Sequence, residues 1–325
     1  MNHFLIPACF YPTTVLLVDD DVLQSELLAM QLESHGTCNV FKGKVFESGE
    51  SALNFLKDYK SPSLMKKYML IDEDDGALGR SIKINIAGIQ ETALNINRFE
   101  EITVGVIDYH MPIMNGIQLC KAIREKYPKI KLIMLTAEAD NELAIKAHNE
   151  KIIDLFVRKD LKNSPDTLLV MIHNLQLDYF RDQSSVLVES FLNSSEGYPE
   201  CLNDPIFADF FFKALKGRQI IEFYIINSFG DFLLLDKNGN KSWLMIRTEQ
   251  SLRLSYEIAE YAAEDNQDDV LRNMAKNIEL GNIAPFFENE LISDIPPEHW
   301  ASYLQSLTTI QGNNVYYYAF IDHTR

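Results

Sequence analysis

Short apolar runs alternate with amphipathic stretches through the first half of the chain. Such runs are typical of parallel strands that are buried on both faces, and the stretches between them have helical periodicity. Alternating strands and helices predict a parallel sheet with right-handed crossovers. We therefore expect a doubly wound, five-stranded α/β domain. The predicted strands are centred on residues 15–18, 40–46, 104–107, 130–135 and 155–157.

The predicted helices follow from apolar spacing and from terminal residues. Asp140 is suited to cap one helix, and Pro165 is suited to the first turn of another. Between Asp108 and the next helix, Pro112 fixes φ and Gly116 permits an unusual φ, which predicts a sharply shaped loop. The helices are expected at 21–36, 51–59, 117–127, 140–149 and from 165 onwards.

Polar side chains follow four of the predicted strands where each strand ends. Taken singly, each has an ordinary explanation, such as a solvated loop, a strand terminator or an exposed charge. Because the carboxyl ends of parallel strands meet at one edge of the sheet, where ligands bind in open α/β folds, we expect one site. Its residues would be Asp19 and Asp20, Asp108, Thr136 and Lys159.

This set of side chains is suited to an aspartyl-phosphate site. A carboxylate such as Asp108 can attack phosphorus and carry a covalent intermediate. Clustered carboxylates require a cation, and their hard oxygen ligands suit Mg²⁺. Lys159 would neutralise one phosphoryl oxygen, and Thr136 would donate a hydrogen bond to another. His110 would offer its backbone carbonyl to the metal, so we assign its side chain no role as a base.

Four sequence motifs resemble, in order, the receiver domain of bacterial response regulators, which has a flavodoxin-like fold. The resemblance covers roughly residues 14–180. The motifs are Leu16-Leu-Val-Asp-Asp-Asp21, Val106-Ile-Asp-Tyr-His-Met-Pro-Ile-Met-Asn-Gly116, Leu135-Thr-Ala137 and Val157-Arg-Lys159.

The resemblance implies that Asp108 accepts a phosphoryl group from a sensor histidine kinase or a phosphotransfer protein. It also implies that Asp19 and Asp20 are the acidic pair that binds Mg²⁺, although the register Asp20 and Asp21 is an alternative. In the family, phosphorylation is coupled to movement of the threonine and of an aromatic side chain on the last strand. Phe156 matches that aromatic position, and its simplest role is core packing.

Two features depart from the family pattern. Asp160 follows Lys159 where proline is common, and residues 60–98 form an insertion before the phospho-acceptor strand. Ile82, Ile84 and Ile86 alternate as in a strand, so the insertion is expected to contain a hairpin. An exposed insertion is the simpler interpretation, and a functional element is the alternative.

The second half predicts a linker or helix extension over 181–200, with its linker at 193–199, and an α+β output domain over 201–325. A turn at 236–240 lies between two predicted strands, which indicates an antiparallel meander. We treat 285–287 and 296–300 as loops. The strands are expected at 220–226, 232–235, 243–246 and 316–320, and the helices at 207–215, 249–263 and 267–280.

The helix from Pro165 has two compatible uses. Leu168, Ile172, Leu175 and Tyr179 repeat at 4-3-4 spacing, which would suit a seam in a homodimer formed through residues 165–190. The same side chains would suit the last helix of the receiver packing on its own sheet.

The charge balance bears on the partners of the chain. The net charge is −17, and residues 161–325 alone hold 12 Lys and Arg against 24 Asp and Glu. Proteins that bind duplex DNA carry a basic face, so direct DNA binding is not expected. We expect an output that acts through conformation or dimerisation. The chain is not expected to be an enzyme beyond the receiver promoting its own aspartyl phosphorylation, and the sequence of the output domain supplies no catalytic constellation. The alternatives are a transcription factor that binds DNA and an output domain that binds or acts on a nucleotide.

Three further features of the sequence bear on the signalling system and the cellular compartment of the protein. The overall layout is similar to that of quorum-sensing response regulators, which implies a role in quorum-sensing signal transduction. The four cysteines are scattered without a CxxC pair, which favours free thiols in a reducing cytoplasm. No apolar run is long enough for membrane insertion, and the first ten residues do not resemble a signal peptide.

Overall fold

The computed structural model describes residues 5–34, 41–61, 69–72, 81–84, 86–136, 141–159, 165–192, 199–288 and 295–322. The chain divides into two compact units. The parallel-sheet unit comprises Cys9–Lys67 and Gln90–Ser185, and the antiparallel-sheet unit comprises Met1–Ala8, Tyr68–Ile89 and Val186–Arg325.

The elements up to residue 192 alternate between strand and helix as the apolar pattern predicts, except at two places where one strand follows another. In chain order they are β1 (Cys9–Phe10), β2 (Thr13–Val18), α1 (Val22–Ser34), β3 (Phe41–Phe46), α2 (Gly49–Asp58), β4 (Met69–Asp72), β5 (Ser81–Ile84), α3 (Ile86–Leu94), β6 (Ile102–Asp108), α4 (Gly116–Lys126), β7 (Lys131–Thr136), α5 (Asn141–Asn149), β8 (Leu155–Arg158) and α6 (Pro165–Leu192). A 3₁₀ helix at Ile96–Glu100 precedes β6. The predicted cap Asp140 lies outside the described residues.

The sheet of the parallel-sheet unit has five parallel strands in the order β3-β2-β6-β7-β8, which confirms the predicted fold. Every residue of β2 and β6 is buried, which agrees with the apolar runs predicted at 15–18 and 104–107. Their register sets the position of the predicted site. Val18 pairs with Ile107, and Asp108 pairs with Leu135, so β2, β6 and β7 end at the same edge.

The insertion contains the expected hairpin, formed by the antiparallel pair β4 and β5. The predicted strand, however, extends too far. It ends at Ile84, and Ile86 begins α3. The reason is a change of period, because Ile89, Thr92 and Ala93 are buried at helical spacing in the segment that follows.

Helix α6 is one continuous helix of 28 residues. Leu168, Ile172 and Tyr179 are buried, and the amide of Gln176 donates a hydrogen bond to Thr13 Oγ1 over 2.7 Å. The predicted packing of this helix on its own sheet is therefore found. A seam with a second copy of the chain stays a prediction.

The antiparallel-sheet unit continues after a 3₁₀ helix at Glu200–Asn203. Its elements are α7 (Pro205–Gly217), β9 (Ile220–Ile225), β10 (Phe232–Asp236), β11 (Lys241–Thr248), α8 (Glu249–Asn266), α9 (Asp269–Glu279), β12 (Ile283–Pro285), β13 (Leu304–Ser306), β14 (Thr308–Gln311) and β15 (Val315–Asp322). Neighbours in the order β9-β10-β11-β15-β14 are antiparallel, which confirms the predicted α+β output fold.

Three short strands of this unit were not predicted. Strands β12 and β13 pair with each other, and β14 pairs with β15. They have three or four residues each, too few to show a period, and β14 is mostly exposed. The expectation of loops at 285–287 and 296–300 is corrected in part. Pro285 is the last residue of β12, and residues 297–300 belong to a 3₁₀ helix at Pro297–Ser302. Most of the predicted linker, 193–198, lies outside the described residues.

Two predictions about the setting can be compared with the structure. Cys9, Cys120 and Cys201 are buried free thiols, and Cys38 lies outside the described residues. A search of the helices in the described ranges finds none that is long and apolar enough to cross a membrane.

Candidate functional site

Three carboxylates meet at the carboxyl edge of the parallel sheet. Oxygen atoms of Asp19, Asp20 and Asp108 lie within 4.8 Å of one another. Asp19 and Asp108 are buried, and Asp20 is exposed. Anionic groups at this separation repel one another unless a cation lies between them, and an all-oxygen donor set fits Mg²⁺. These residues therefore fit the predicted metal site.

Asp21 has a different position from its two neighbours. Its carboxylate accepts a hydrogen bond from the backbone N–H of Gln24 at the start of α1, and its own backbone N–H donates to Asp19 Oδ1. Within the described residues the acidic cluster contains Asp19 and Asp20 rather than the alternative pair Asp20 and Asp21.

Lys159 lies between the buried carboxylates. Its Nζ is 2.9 Å from Asp108 Oδ1 and 3.0 Å from Asp19 Oδ2. Burial alone would lower the pKa of Lys159, but its bonds to Asp108 and Asp19 more than offset this effect and raise it. The pKa of Asp108 is raised by burial, although Lys159 opposes that shift. The ammonium group thus balances two carboxylates that water does not solvate.

Thr136 is the last residue of β7 and is fully buried. Its backbone carbonyl accepts a hydrogen bond from the N–H of Lys159 over 2.8 Å, which ties the end of β7 to the lysine. Its hydroxyl has no hydrogen-bond partner within the described part of the chain. A buried hydroxyl without a partner is unfavourable, so this group is suited to bind an oxygen that arrives from outside.

His110 lies in the loop that begins directly after Asp108. Its side chain is exposed, and its backbone N–H donates to the Asp108 carboxylate. The ring of His110 contacts the ring of Tyr109 edge-on, with 4.7 Å between their centroids. Coordination of a metal by the His110 carbonyl stays a prediction.

Gly116 shapes the loop after Asp108 by close packing rather than by an unusual φ, which corrects the sequence interpretation. The positive φ in this loop, 69°, belongs to Ile113. A Cβ on Gly116 would overlap the carbonyl oxygen of Asp108 and lie 2.9 Å from Tyr109 Cα. The N–H of Gly116 donates to the Tyr109 carbonyl, so the loop folds back onto the residue that follows Asp108.

Phe156, the aromatic residue on β8, is half-buried and packs against the core of the parallel-sheet unit. Its ring meets His148 edge-on, with 6.4 Å between the ring centroids. This position agrees with core packing. A switch role for the ring stays a prediction.

Glu101 was not among the predicted site residues, and it is buried at the opposite, amino-terminal end of β6. Glu101 stands beside another glutamate, Glu100, immediately before an apolar run. A charged residue at that point is typical of a solvated strand end, so the sequence carries no signal that distinguishes it.

Comparisons with known proteins agree with this geometry. Residues 79–173 match the family model "Response regulator receiver domain". That range contains Asp108, Thr136 and Lys159 and begins after Asp19 and Asp20, which the insertion separates from the rest. No curated protein matches the chain.

Among solved structures, the Legionella pneumophila response regulator LqsR is similar over both units. Its TM-score is 0.78 at 28% identity, and the match covers 99% of this chain and 91% of that chain. The receiver domain of the Francisella response regulator 1452 has a TM-score of 0.34 at 20% identity, with 50% of this chain and 96% of that chain covered. The family match over residues 79–173, together with the likeness to LqsR, shows a response regulator receiver domain in this chain.

Proposed function

We propose that the chain is the phospho-acceptor of a two-component phosphorelay. Asp108 would receive a phosphoryl group from a sensor histidine kinase or a phosphotransfer protein. The observation that carries the proposal is the position of Lys159, whose Nζ contacts the buried carboxylates of Asp108 and Asp19 at once. The unpartnered hydroxyl of Thr136 at the end of the adjacent strand supports it.

In the proposed reaction, a carboxylate oxygen of Asp108 attacks the phosphorus of a phosphohistidine. The phosphorus–nitrogen bond of the donor breaks, its electron pair goes to the imidazole nitrogen, and an acyl phosphate forms on Asp108. Lys159 would then turn from the carboxylate to the phosphoryl oxygens, where negative charge is concentrated. Thr136 would donate its hydroxyl hydrogen to another of these oxygens.

The acidic pair has a separate part in this proposal. Asp19, Asp20 and Asp108 would hold Mg²⁺, with the His110 carbonyl as a further ligand, and the ion would reduce repulsion between the carboxylates and the incoming phosphoryl group. Asp19 and Asp20 would hold that positive charge at the same sheet edge as Asp108.

The output would follow from a two-state change in the parallel-sheet unit. A phosphoryl group that draws the Thr136 hydroxyl and Lys159 towards Asp108 would bias the ends of β7 and β8. We propose that this change alters conformation or homodimerisation through α6 and that direct DNA binding is not the output. The acidic second half supports this view, and the layout supports a place in quorum-sensing signal transduction.

The test of the phospho-acceptor is intact-mass spectrometry of the full chain with Mg²⁺ and acetyl phosphate. The wild-type chain is expected to gain one phosphoryl group, and Asp108→Asn is expected to gain none. Asp20→Asn should need more Mg²⁺ for the same yield, whereas Asp21→Asn, a matched carboxylate in the same loop, should behave as wild type. Phosphorylation of Asp108→Asn at the wild-type rate would disprove the proposal.

The test of the output is solution mass by light scattering, with Mg²⁺ and beryllofluoride present or absent. A change of mass in wild type but not in Asp108→Asn would support signalling through assembly. An unchanged mass would contradict the proposal that the output is a change of assembly. It would not bear on phosphorylation of Asp108, which the mass spectrometry tests.

A further inference from the structure

A cavity of about 270 Å³ opens at the amino-terminal edge of the parallel sheet. Glu101 and Ile102 line it at the start of β6, and Ile130 lines it just before β7. The seven residues of β6 separate this edge from Asp108 by about 20 Å at roughly 3.3 Å per residue. The volume is near the lower end of small-molecule sites, about 300 Å³. The cavity is thus separate from the phospho-acceptor site and has room for a small organic ligand.

A buried carboxylate lies in the wall of this cavity. The Glu101 side chain belongs to a residue that is 3% exposed, and it accepts hydrogen bonds from the hydroxyls of Tyr11 and Tyr179. None of the ion pairs in the described ranges includes Glu101. Buried carboxylates are normally paired with a cation. Burial raises the pKa of Glu101, and the hydrogen bonds from Tyr11, Tyr179 and Ser61 and the positive charge of Lys129 offset this effect only in part.

Three tyrosines share the cavity with this carboxylate: Tyr59, Tyr127 and Tyr179. The hydroxyl of Tyr59 accepts a hydrogen bond from the N–H of Ile102, and that of Tyr127 donates to the carbonyl of Leu56, so both rings are held in place. Their ring centroids are 5.9 Å apart. Aromatic rings attract organic ammonium groups, most strongly where water is excluded. A carboxylate among fixed tyrosines is therefore suited to an ammonium group.

The mouth of the cavity has the opposite charge. Lys126 and Lys129 line it and are exposed, and Lys129 Nζ donates a hydrogen bond to Gln183 Oε1 over 2.8 Å. Exposed lysines attract an anionic group at the surface, while solvent and salt weaken their repulsion of a cation deeper in the cavity. The cavity thus has a negative group in its wall, Glu101, and positive groups at its mouth, Lys126 and Lys129.

We propose that this cavity binds a small amino-carboxylate, with its ammonium group at Glu101 among the tyrosines and its carboxylate group at Lys129. The binding is independent of phosphoryl transfer.

The proposal is tested on the full chain by isothermal calorimetry and thermal unfolding. The probes are β-alanine, γ-aminobutyrate and ε-aminocaproate, with n-butylamine and butyrate as molecules that carry one of the two charged groups. At least one amino-carboxylate is expected to bind about tenfold more tightly than either single-charge probe and to raise Tm. Absence of binding by all three amino-carboxylates, or equal binding of butyrate, would overturn the proposal.

Variants of the chain test the contacts of the ammonium group and of the carboxylate group of the ligand separately. Glu101→Gln keeps the shape of the side chain but removes its charge, so it should abolish binding. Lys129→Glu should weaken the amino-carboxylate by about tenfold or more and leave n-butylamine unchanged or stronger. Lys121→Glu, an exposed change on α4 outside the cavity, is the matched control and should bind as wild type.

Retained binding in Glu101→Gln would overturn the assignment of the ammonium group. If Glu101→Gln does not fold, Lys129→Glu still decides the matter because its side chain is exposed. Undiminished binding of the amino-carboxylate in that variant would overturn the proposal.

Discussion

Lys159 Nζ lies 2.9 Å from Asp108 Oδ1, so the residue after β8 is bonded directly to the last residue of β6. Strand β7 lies between these two strands in the sheet. The ion pair therefore spans the end of β7, where Thr136 is located. A group that binds the Lys159 ammonium would therefore weaken its attraction to Asp108. It would change the charge at the ends of β6, β7 and β8.

Replacing Lys159 by methionine should destabilise the chain in the absence of Mg²⁺. The carboxylates of Asp108 and Asp19 would remain buried without their cation, and such a loss costs about 1–3 kcal/mol. Urea unfolding measures the change. Lys146→Met is the control, because its lysine is 72% exposed and only weakly paired with Glu150, so its stability should stay near that of wild type. Equal stability of the Lys159 variant and wild type would contradict the pairing.

Added Mg²⁺ should restore part of the stability lost in Lys159→Met. The acidic cluster of Asp19, Asp20 and Asp108 has more negative charge to bind a cation once the lysine is gone. The expected result is a larger rise of Tm with Mg²⁺ for the variant than for wild type. An equal rise would mean that the lysine and the ion do not share these carboxylates.

Thr136→Val should keep the stability of the chain but reduce its response to beryllofluoride. Valine removes a buried hydroxyl that has no partner within the described residues, so the unphosphorylated chain should be as stable as wild type or slightly more stable. The variant should lose part of its response to beryllofluoride, measured as the rise in Tm with Mg²⁺ present. Thr136→Ser keeps the hydroxyl and should keep the response. A full response in the valine variant would remove the hydroxyl from the proposed mechanism.

Gly116→Ala should disturb Asp108 through the backbone of Asp108. The new Cβ would overlap the Asp108 carbonyl oxygen, and overpacking of this kind costs about 1–3 kcal/mol. Both the stability and the rate of phosphorylation by acetyl phosphate should fall. Gly217→Ala is the matched control, since the described residues outside its own helix backbone and chain neighbours place no atom within 4 Å of the added Cβ. Similar behaviour of the two variants would argue against the close contact with Asp108.

The placement of Asp19, Asp108, Thr136 and Lys159 could be predicted because it follows from one rule. Parallel strands of known order bring their carboxyl ends together, and the apolar runs mark where each strand ends. The likeness to response regulators added roles that the apolar pattern alone does not provide.

Features that depend on packing between distant segments could not be predicted in the same way. The three isoleucines at 82, 84 and 86 alternate, but burial of Ile89 places the helix start at Ile86. The sequence suggested that Gly116 is needed for an unusual φ. The structure shows instead that the Asp108 carbonyl lies too close to leave room for a Cβ at this position. Glu101 is buried by tyrosines that are 90 and 78 residues away in the sequence.

Glu101 should make the stability of the chain depend on pH in a defined direction. Burial raises its folded-state pKa above the value of about 4.3 for an unfolded glutamate. The folded chain therefore holds this proton more tightly than the unfolded chain. The stability that Glu101 contributes is fully present below about pH 4.3 and is lost as pH rises through the folded-state pKa.

Glutamine does not titrate, so Glu101→Gln should become more stable relative to wild type as pH rises through this range. Thermal unfolding of both chains from acidic to neutral pH measures the difference in Tm. Glu142→Gln, at an exposed position in the first turn of α5, is the control. A difference in Tm that is constant with pH would contradict the raised pKa.

The antiparallel-sheet unit contains a buried ion pair whose removal should be far more damaging than that of an exposed pair. Arg247 Nη1 lies 2.8 Å from Asp231 Oδ1, and the two side chains are 9% and 1% exposed. The same oxygen accepts the backbone N–H of Ile246 over 2.7 Å. Arg247→Met would leave Asp231 as an unpaired buried charge, at a cost of about 3–5 kcal/mol.

Asp231→Asn keeps an oxygen for the Ile246 N–H but leaves the Arg247 charge without its partner, so it should also be strongly destabilising. The double variant should lose clearly less stability than the sum of the two single variants, because neither charge is then buried alone. Arg253→Met removes an exposed pair with Glu257 and should have little effect. Urea unfolding of the four variants forms a complete comparison. Additive losses in the double variant would mean that the pair is not coupled, and the stability of this unit would then have to rest on its aromatic core.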